Sequence, residues 1–243
     1  MIEDQQHLEA LPGEDKKEKV RNMFNNIASK YDFLNHFLSF GIDYYWRNRV
    51  LKIIKSKQPK SILDIATGTG DLAILASKAN PENIIGIDIS EKMLRVGVEK
   101  IKNKNLESLI NLQQADSEDL PFDDNHFDLA MVAFGVRNFA HLDIGLSEIR
   151  RVLKPGGTLI VLEFSHPTSF PMKQLYGFYS KNILPFFGKL ISNDSSAYTY
   201  LPESVKRFPA YDEFTSAMNK VGFKNTKWES LSSGISCIYT GDK

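Results

Sequence analysis

From Ser61 onward the chain alternates short apolar runs of strand length with amphipathic stretches of helix length. That alternation restricts the fold more than any other feature of its 243 residues. "SILDIA" reads as a buried strand and "DLAILASKA" as the helix after it. "NIIGIDI" is a second strand, and Ser90 then stands as an N-cap before the helix "EKMLRVGVEKI". "LINLQQ" and "FDLAMVAF" supply strands three and four. Leu142, Leu146, Ile149 and Leu153 line a helix that stops at "KPGG", and "TLIVLEF" is the fifth strand. Alternating strands and helices build a mostly parallel sheet covered on both faces. Right-handed crossovers place helices on opposite sides where strand order reverses, and ligands bind there, outside the carboxyl ends of the strands. Residues that end strands are therefore the ones to inspect.

The remainder of the chain divides around this core, residues 61–165. Residues 1–15 are polar and acidic and are expected to be disordered. Residues 16–60 form a helical extension in which Val20, Met23, Phe24, Ile27 and Tyr31 recur at helical spacing. Residues 166–208 break the alternation. They hold nine aromatics in 43 positions, about twice the 11% of the whole chain, and read as a cap inserted over the site. Residues 209–243 make a helix with Phe214, Met218 and Val221 on one face. A closing hairpin follows, "TKWESL" and "ISCIYTG" about the turn "SSG".

Composition narrows the class of partner. Hydrophobic content of 42%, charged content of 25% and a net charge of +0 describe a globule with no long-range steering toward nucleic acid. Cys237 is the only cysteine, so no internal disulfide forms and a reducing compartment is expected. The N-terminus lacks the apolar core of a secretory signal, and no run nears the ~18 apolar residues of a membrane span. A cytoplasmic location is expected. The five histidines lack metal-ligand spacing, and no metal is expected. The oligomeric state is not legible, and a homo-oligomer stays open.

The loop between strand one and its helix has three readings. Plain turn chemistry is the first. The second is a dinucleotide site, since Gly68-Thr69-Gly70-Asp71-Leu72-Ala73 matches G-x-G-x-x-G/A and Asp88 ends the next strand twenty residues beyond Gly68. Against it, Asp71 begins the helix where a pyrophosphate would dock, and Asp64 adds a second negative charge nearby. The third is S-adenosylmethionine, which shares the adenosine end but has no phosphates and carries a sulfonium and an ammonium. Asp88 then takes the ribose, Gly68 and Gly70 permit close approach, and Asp64 and Asp71 offset the positive charge. Asp116, at the end of strand three, faces the adenine amino group with Ser117 beside it; loop capping is the plain alternative for both.

The pieces "LDIATGTGD", "GIDISEKML", "ADSEDLPFDDNHFD" and "RVLKPGGTLIVLEF" resemble class I S-adenosylmethionine-dependent methyltransferases. Four further blocks lie outside the cofactor loops: "YDFLNHFLSFGIDYYWR", "AFGVRNF", "LEFSHP" and "YLPESVKRFP". In that order they resemble the quinone C-methyltransferases that complete menaquinone and, in many bacteria, also act in ubiquinone synthesis. The resemblance runs from about Met23 to Thr240. It implies a seven-stranded, mostly parallel Rossmann-like sheet with the last strand antiparallel. It also implies cofactor contacts at Thr69, Asp88, Asp116 and Ser117. Two departures stand out: the family often has Gly-Gly-Thr-Gly-Asp where this chain has Thr67-Gly68-Thr69-Gly70-Asp71, and often Asn at the position of Asp116.

The resemblance implies methylation of a ring carbon on a prenylated quinol, demethylmenaquinol first and the ubiquinone precursor as the alternative. An NAD-dependent oxidoreductase and a non-catalytic cofactor-binding regulator are the rivals from other classes. The ring must be reduced, because an electron-poor quinone carbon does not attack a sulfonium methyl, and deprotonating a hydroxyl makes the neighbouring carbon nucleophilic. Arg137 and Asn138, just past strand four, are the expected catalytic residues with Tyr31. Arg137 stays cationic and either stabilises the quinolate or orients a water that takes the proton. The plain alternative pairs Arg137 with a nearby acid to pin its loop. Asp32, Asn35 and His166 are secondary, His166 leaning to a turn role beside Pro167. A polyprenyl tail dissolves in bilayers, so the aromatic cap near Lys173, Lys181 and Lys189 is expected either to meet the inner membrane face peripherally or only to pack the cap.

Overall fold

The computed structural model describes residues 13–39, 41–179, 182 and 196–243. The expected disorder of residues 1–12, and part of the cap sequence including Lys181, Lys189 and Phe186–Phe187, lie outside these residues.

Seven strands form one sheet in the order β3-β2-β1-β4-β5-β7-β6. They are β1 (Ser61–Ile65), β2 (Asn83–Asp88), β3 (Ile110–Gln114), β4 (Phe127–Ala133), β5 (Leu153–Phe164), β6 (Lys224–Leu231) and β7 (Ser236–Asp242). Only β7 runs against its neighbours, pairing antiparallel with both β5 and β6. Strand order reverses at β1, which pairs with β2 on one side and β4 on the other. The crevice beyond the carboxyl ends of β1, β2 and β4 is therefore the expected ligand site.

The period of two along each strand splits the core into two layers. Ile62, Leu129, Met131, Ile160 and Leu162 face one side, with Trp46, Val50 and Ile54 of α3 (Ile42–Lys57) and Leu72 of α4 (Asp71–Ala76). Leu63, Ala130, Val132, Leu159 and Val161 face the other, with Leu146 and Ile149 of α6 (Leu142–Val152) and Phe214 and Met218 of α9 (Asp212–Lys220). Helix α5 (Glu91–Lys102) begins as expected, with the Ser90 hydroxyl accepting from the Met93 N–H at 3.3 Å.

Several boundaries differ from the sequence reading. Helix α1 (Gly13–Ile27) starts inside the stretch expected to be disordered. Helix α4 ends at Ala76 and tightens into a 3₁₀ turn, Ser77–Ala79. Leu153 is not on the α6 face: the helix stops at Val152, and Leu153 opens β5 by pairing with Phe127. "KPGG" is thus an irregular stretch of strand, because its ladder resumes only at Thr158 opposite Leu129. The remaining helices are α2 (Tyr31–Leu38) in the N-terminal extension, and α7 (Met172–Phe178) and α8 (Ser196–Arg207) in the cap. Among the described residues, no helix is long and apolar enough to cross a membrane.

Candidate active site

The glycine loop turns through left-handed backbone at Gly68 (φ 58°) and Gly70 (φ 78°), where a side chain is strained. Its geometry delivers the Gly68 N–H to Asp88 Oδ2 at 2.9 Å, while Ser90 N–H donates to Asp88 Oδ1 at 2.8 Å. Two backbone donors thus fix the carboxylate that ends β2. Burial pushes the Asp88 carboxyl up to about 6, against these two bonds. Past β3, the Asp116 carboxylate accepts from Glu118 N–H at 2.9 Å and pairs with Lys17 Nζ at 2.7 Å.

Gly68, Asp88, Asp116, Ser117 and Asn138 line one cavity of about 70 Å³, roofed by Lys17, Val20 and Phe24 of α1 and Tyr31 of α2. Pockets for ligands of adenosine size run to roughly 300 Å³ or more, so the roof must lift to admit one. Polar clasps hold it down: Lys17 to Asp116 and Glu118, Lys16 Nζ to the Phe139 carbonyl at 2.8 Å, and the Ser90 hydroxyl to Asn25 Oδ1 at 2.8 Å. Asp88 and Asp116 thus bring carboxylate oxygens to the lining of this cavity.

Asp64, Thr69 and Gly70, expected at the ligand, do not line this cavity. Asp64 is 1% exposed and accepts the Thr67 hydroxyl at 2.6 Å. Burial pushes its carboxyl up to about 7, so it is not a fixed negative charge at neutral pH. Asp71 is already matched: Lys100 Nζ bonds it, and Arg47 and His36 stand within 4 Å. The Thr69 hydroxyl donates to Asp32, which Lys100 also pairs at 2.7 Å. The loop's charge is therefore set by a chain of side chains, Asp32–Lys100–Asp71–Arg47–Asp43. Its three carboxylates and two cations leave one negative charge when His36 is neutral.

A second cavity, of about 590 Å³, abuts the first, and Phe24, Tyr31 and Phe134 wall both. Its lining is mostly apolar, with Trp46, Phe164, Met172, Tyr176 and Tyr179 among its walls. Arg137 lines it, and Glu163 is its anchor: Arg137 Nη1 to Glu163 Oε1 is 2.7 Å, with side-chain exposures of 6% and 0%. The Arg137 backbone N–H donates to Glu163 Oε2 at 3.3 Å, Nε to Ser204 Oγ at 3.3 Å, and Nη1 also to the Phe134 carbonyl. Burial holds the Glu163 carboxyl above its ordinary value, against the pull of Arg137. The plain alternative for Arg137, a loop-pinning ion pair, is thus present at the wall of the cavity itself. Among the described residues its Nη2 takes no protein acceptor.

Asn138 Oδ1 accepts the Tyr200 hydroxyl at 3.0 Å, which ties the strand-four loop to α8. Tyr31 shares a side-chain hydrogen bond with Asn35, and burial raises its hydroxyl pKa. His166 takes the turn role: its carbonyl accepts the Tyr211 hydroxyl at 2.7 Å, and it lines neither cavity. Sequence reasoning missed Glu163, Tyr200 and Arg47. Glu163 had a visible signal, an acid inside the apolar run "LIVLEF", because a carboxylate in a buried strand requires a partner. Among the described residues, no cluster of three or more His, Cys, Asp or Glu is placed to hold a metal ion.

The switch-point crevice with its strand-end acids opens on an apolar cavity, an arrangement that accommodates a class I S-adenosylmethionine-dependent methyltransferase, the class to which the family match below assigns the chain. The fold alone is also that of a solved S-adenosylmethionine-dependent methyltransferase from Aquifex aeolicus, with a TM-score of 0.56 at 18% identity, covering 81% of this chain and 88% of that one. The chain belongs to the ubiE/COQ5 methyltransferase family, whose family model matches residues 13–243. It is 49% identical over 229 residues to the demethylmenaquinone methyltransferase of Bacteroides fragilis, covering 94% of each chain. It is 47% identical to the ubiquinone/menaquinone biosynthesis C-methyltransferase UbiE of Geotalea daltonii, covering 94% of this chain and 98% of that relative.

Proposed function

We propose that this enzyme methylates a ring carbon of demethylmenaquinol, completing menaquinone. The observation that carries the reading is the apolar cavity of about 590 Å³ beside the cofactor cavity, with one guanidinium, Arg137, fixed in its wall. A ring with a long prenyl tail needs that apolar volume, and its oxygen needs a cation. Relatives named as demethylmenaquinone methyltransferases, at 49% and 44% identity, support the substrate.

When bound, S-adenosylmethionine supplies an electrophilic methyl on a sulfonium. Asp88, Asp116, Ser117 and the Gly68 backbone hold its adenosine end. Arg137, a guanidinium fixed in place by Glu163, acts as an electrostatic partner of the ionising hydroxyl or of a water that takes the proton, and not as the base. Asn138, oriented by Tyr200, and Tyr31, at the junction of the two cavities, position the ring edge for in-line transfer. The ring carbon's proton then passes to solvent water and aromaticity returns.

The tail's entry accounts for the rim. Tyr44, Tyr45, Phe170, Leu175 and Phe178 are all more than half exposed, and Leu175 also lines the large cavity. The exposed Phe170, Leu175 and Phe178, with Lys173 in the same stretch of sequence, meet the inner face of the membrane peripherally and receive the substrate there. Protein that stays at the bottom of a flotation gradient with quinone-containing liposomes removes that part of the reading.

The second reading, that the enzyme also methylates the 2-methoxy-6-polyprenyl-1,4-benzoquinol precursor of ubiquinone, is favoured by relatives named for both quinones. Methyl transfer measured side by side on both reduced acceptors decides between them. Turnover of the naphthoquinol alone supports the first reading, and turnover of neither refutes both.

A further inference from the structure

We propose that Arg47 is a second substrate-binding cation, holding the ring oxygen that Arg137 does not address. This rests on the quinol reading above. Two guanidinium groups flank a stacked aromatic pair, Phe134 and Phe164, whose ring centroids are 4.4 Å apart. Arg47 Cζ lies 5.5 Å from the Phe134 centroid, and Arg137 Cζ lies 5.5 Å from the Phe164 centroid. Both arginines line the large cavity.

Their hydrogen bonding differs. Arg137 is held by Glu163, Ser204 and a carbonyl. Arg47 is only 8% exposed, yet among the described residues it bonds one acceptor, Asp43, through Nη1. Its Nε is closed off from solvent with no partner. Its Nη2 stands 3.9 Å from Asp71 Oδ2, beyond hydrogen-bond reach. Buried donors without acceptors are costly and rare, so a residue that keeps them calls for an explanation.

Ion pairing with Asp43 and Asp71 accounts for its charge but leaves Nη2 without an acceptor within hydrogen-bond reach among the described residues. The arrangement is also built to hold Arg47 still. Asp43 accepts the Ser39 hydroxyl at 2.7 Å and lies 2.8 Å from His36 Nδ1, while the guanidinium rests over Phe134. A fixed guanidinium lining an apolar cavity, whose Nη2 has no acceptor within hydrogen-bond reach among the described residues, suits an oxygen that is anionic or becomes so. A 1,4-quinol carries two oxygens on opposite sides of its ring, and two cations line the cavity, one beside each ring of the stacked aromatic pair. Arg47 thereby sets which ring carbon meets the methyl group.

The test uses a short-chain 2-prenyl-1,4-naphthalenediol and its two analogues lacking one hydroxyl each. Binding is measured without oxygen in the presence of S-adenosylhomocysteine. The wild-type protein is expected to lose about tenfold in affinity for either analogue, as for a hydrogen bond to a charged group. Arg47→Gln is expected to bind the diol about tenfold more weakly and to be indifferent to loss of one hydroxyl while still sensing the other. Arg47→Lys recovers part of the affinity. S-adenosylhomocysteine affinity is measured in both variants, because Arg47 also belongs to the charge chain of the glycine loop, and the diol and its analogues are compared at saturating S-adenosylhomocysteine in each. The proposal is overturned if Arg47→Gln responds to both deletions as wild type does. It is equally overturned if the wild-type protein is indifferent to one of them, a result that needs no variant to fold. A wild-type protein that binds none of the three compounds overturns the quinol reading itself, and this inference with it.

Discussion

Replacing Glu163 with Gln tests the anchor of the proposed site most directly. The Glu163 side chain is 0% exposed and Arg137 6%, so neither charge is screened by water. Glu163 Oε1 accepts both Arg137 Nη1 at 2.7 Å and the Phe164 N–H at 2.8 Å, and Oε2 accepts the Arg137 N–H at 3.3 Å. Removing one partner of a buried pair costs about 3–5 kcal/mol, because the other is left buried and uncompensated. Glutamine keeps one acceptor oxygen, which puts the expected loss at the low end, about 3 kcal/mol. In a single domain of this size that lowers the melting temperature by about 6–12 °C and shifts the urea midpoint without changing its slope. The double variant with Arg137→Met is expected to be less destabilised than the sum of the singles, by about 1–3 kcal/mol, because no orphaned charge remains. Turnover on reduced demethylmenaquinone falls in both singles, while S-adenosylmethionine affinity stays within about twofold. A Glu163→Gln protein as stable as wild type, or strictly additive effects in the double variant, refutes this account of how Arg137 is held.

Four further outcomes are expected. Asp88 titrates near 6 and Asp64 near 7, so affinity for the cationic S-adenosylmethionine should rise from pH 5 to pH 8; a flat calorimetric profile counts against charge recognition at this loop. For folding the sign is opposite: the folded pKa of Asp64 is raised from 3.8, so its contribution is full below that value and is lost as pH rises through about 7. Asp64→Asn should flatten the decline in urea midpoint over that window. Lys17→Ala removes a clasp on the α1 roof and frees Asp116, and should speed S-adenosylmethionine association in stopped flow; an unchanged rate means the roof is not the gate. Ala66 sits in left-handed backbone at φ 53°, so Ala66→Gly should stabilise by up to about 1 kcal/mol in urea denaturation, and a loss of stability would show that its methyl packs usefully.

What the sequence determined by itself was the sheet and its binding edge. Apolar periodicity located the strands, and parallel topology puts every strand's carboxyl end on one edge, so Asp88 and Asp116 could be assigned to the cavity from position alone. Arg137 and Asn138 were legible for the same reason, since they follow β4. The tertiary structure decided the electrostatics. Asp64 and Asp71 look alike in the loop, yet one is buried until its charge is marginal, and the other is matched by Lys100 and Arg47 from helices distant in sequence. Glu163 meets Arg137 across 26 residues because β4 and β5 are neighbours in the sheet. Hydrophobic patterning is local and repeats along the chain, so it survives in one dimension. Ion pairing and desolvation depend on which side chains the packed core brings within a few ångströms, and that is settled only when the helices dock.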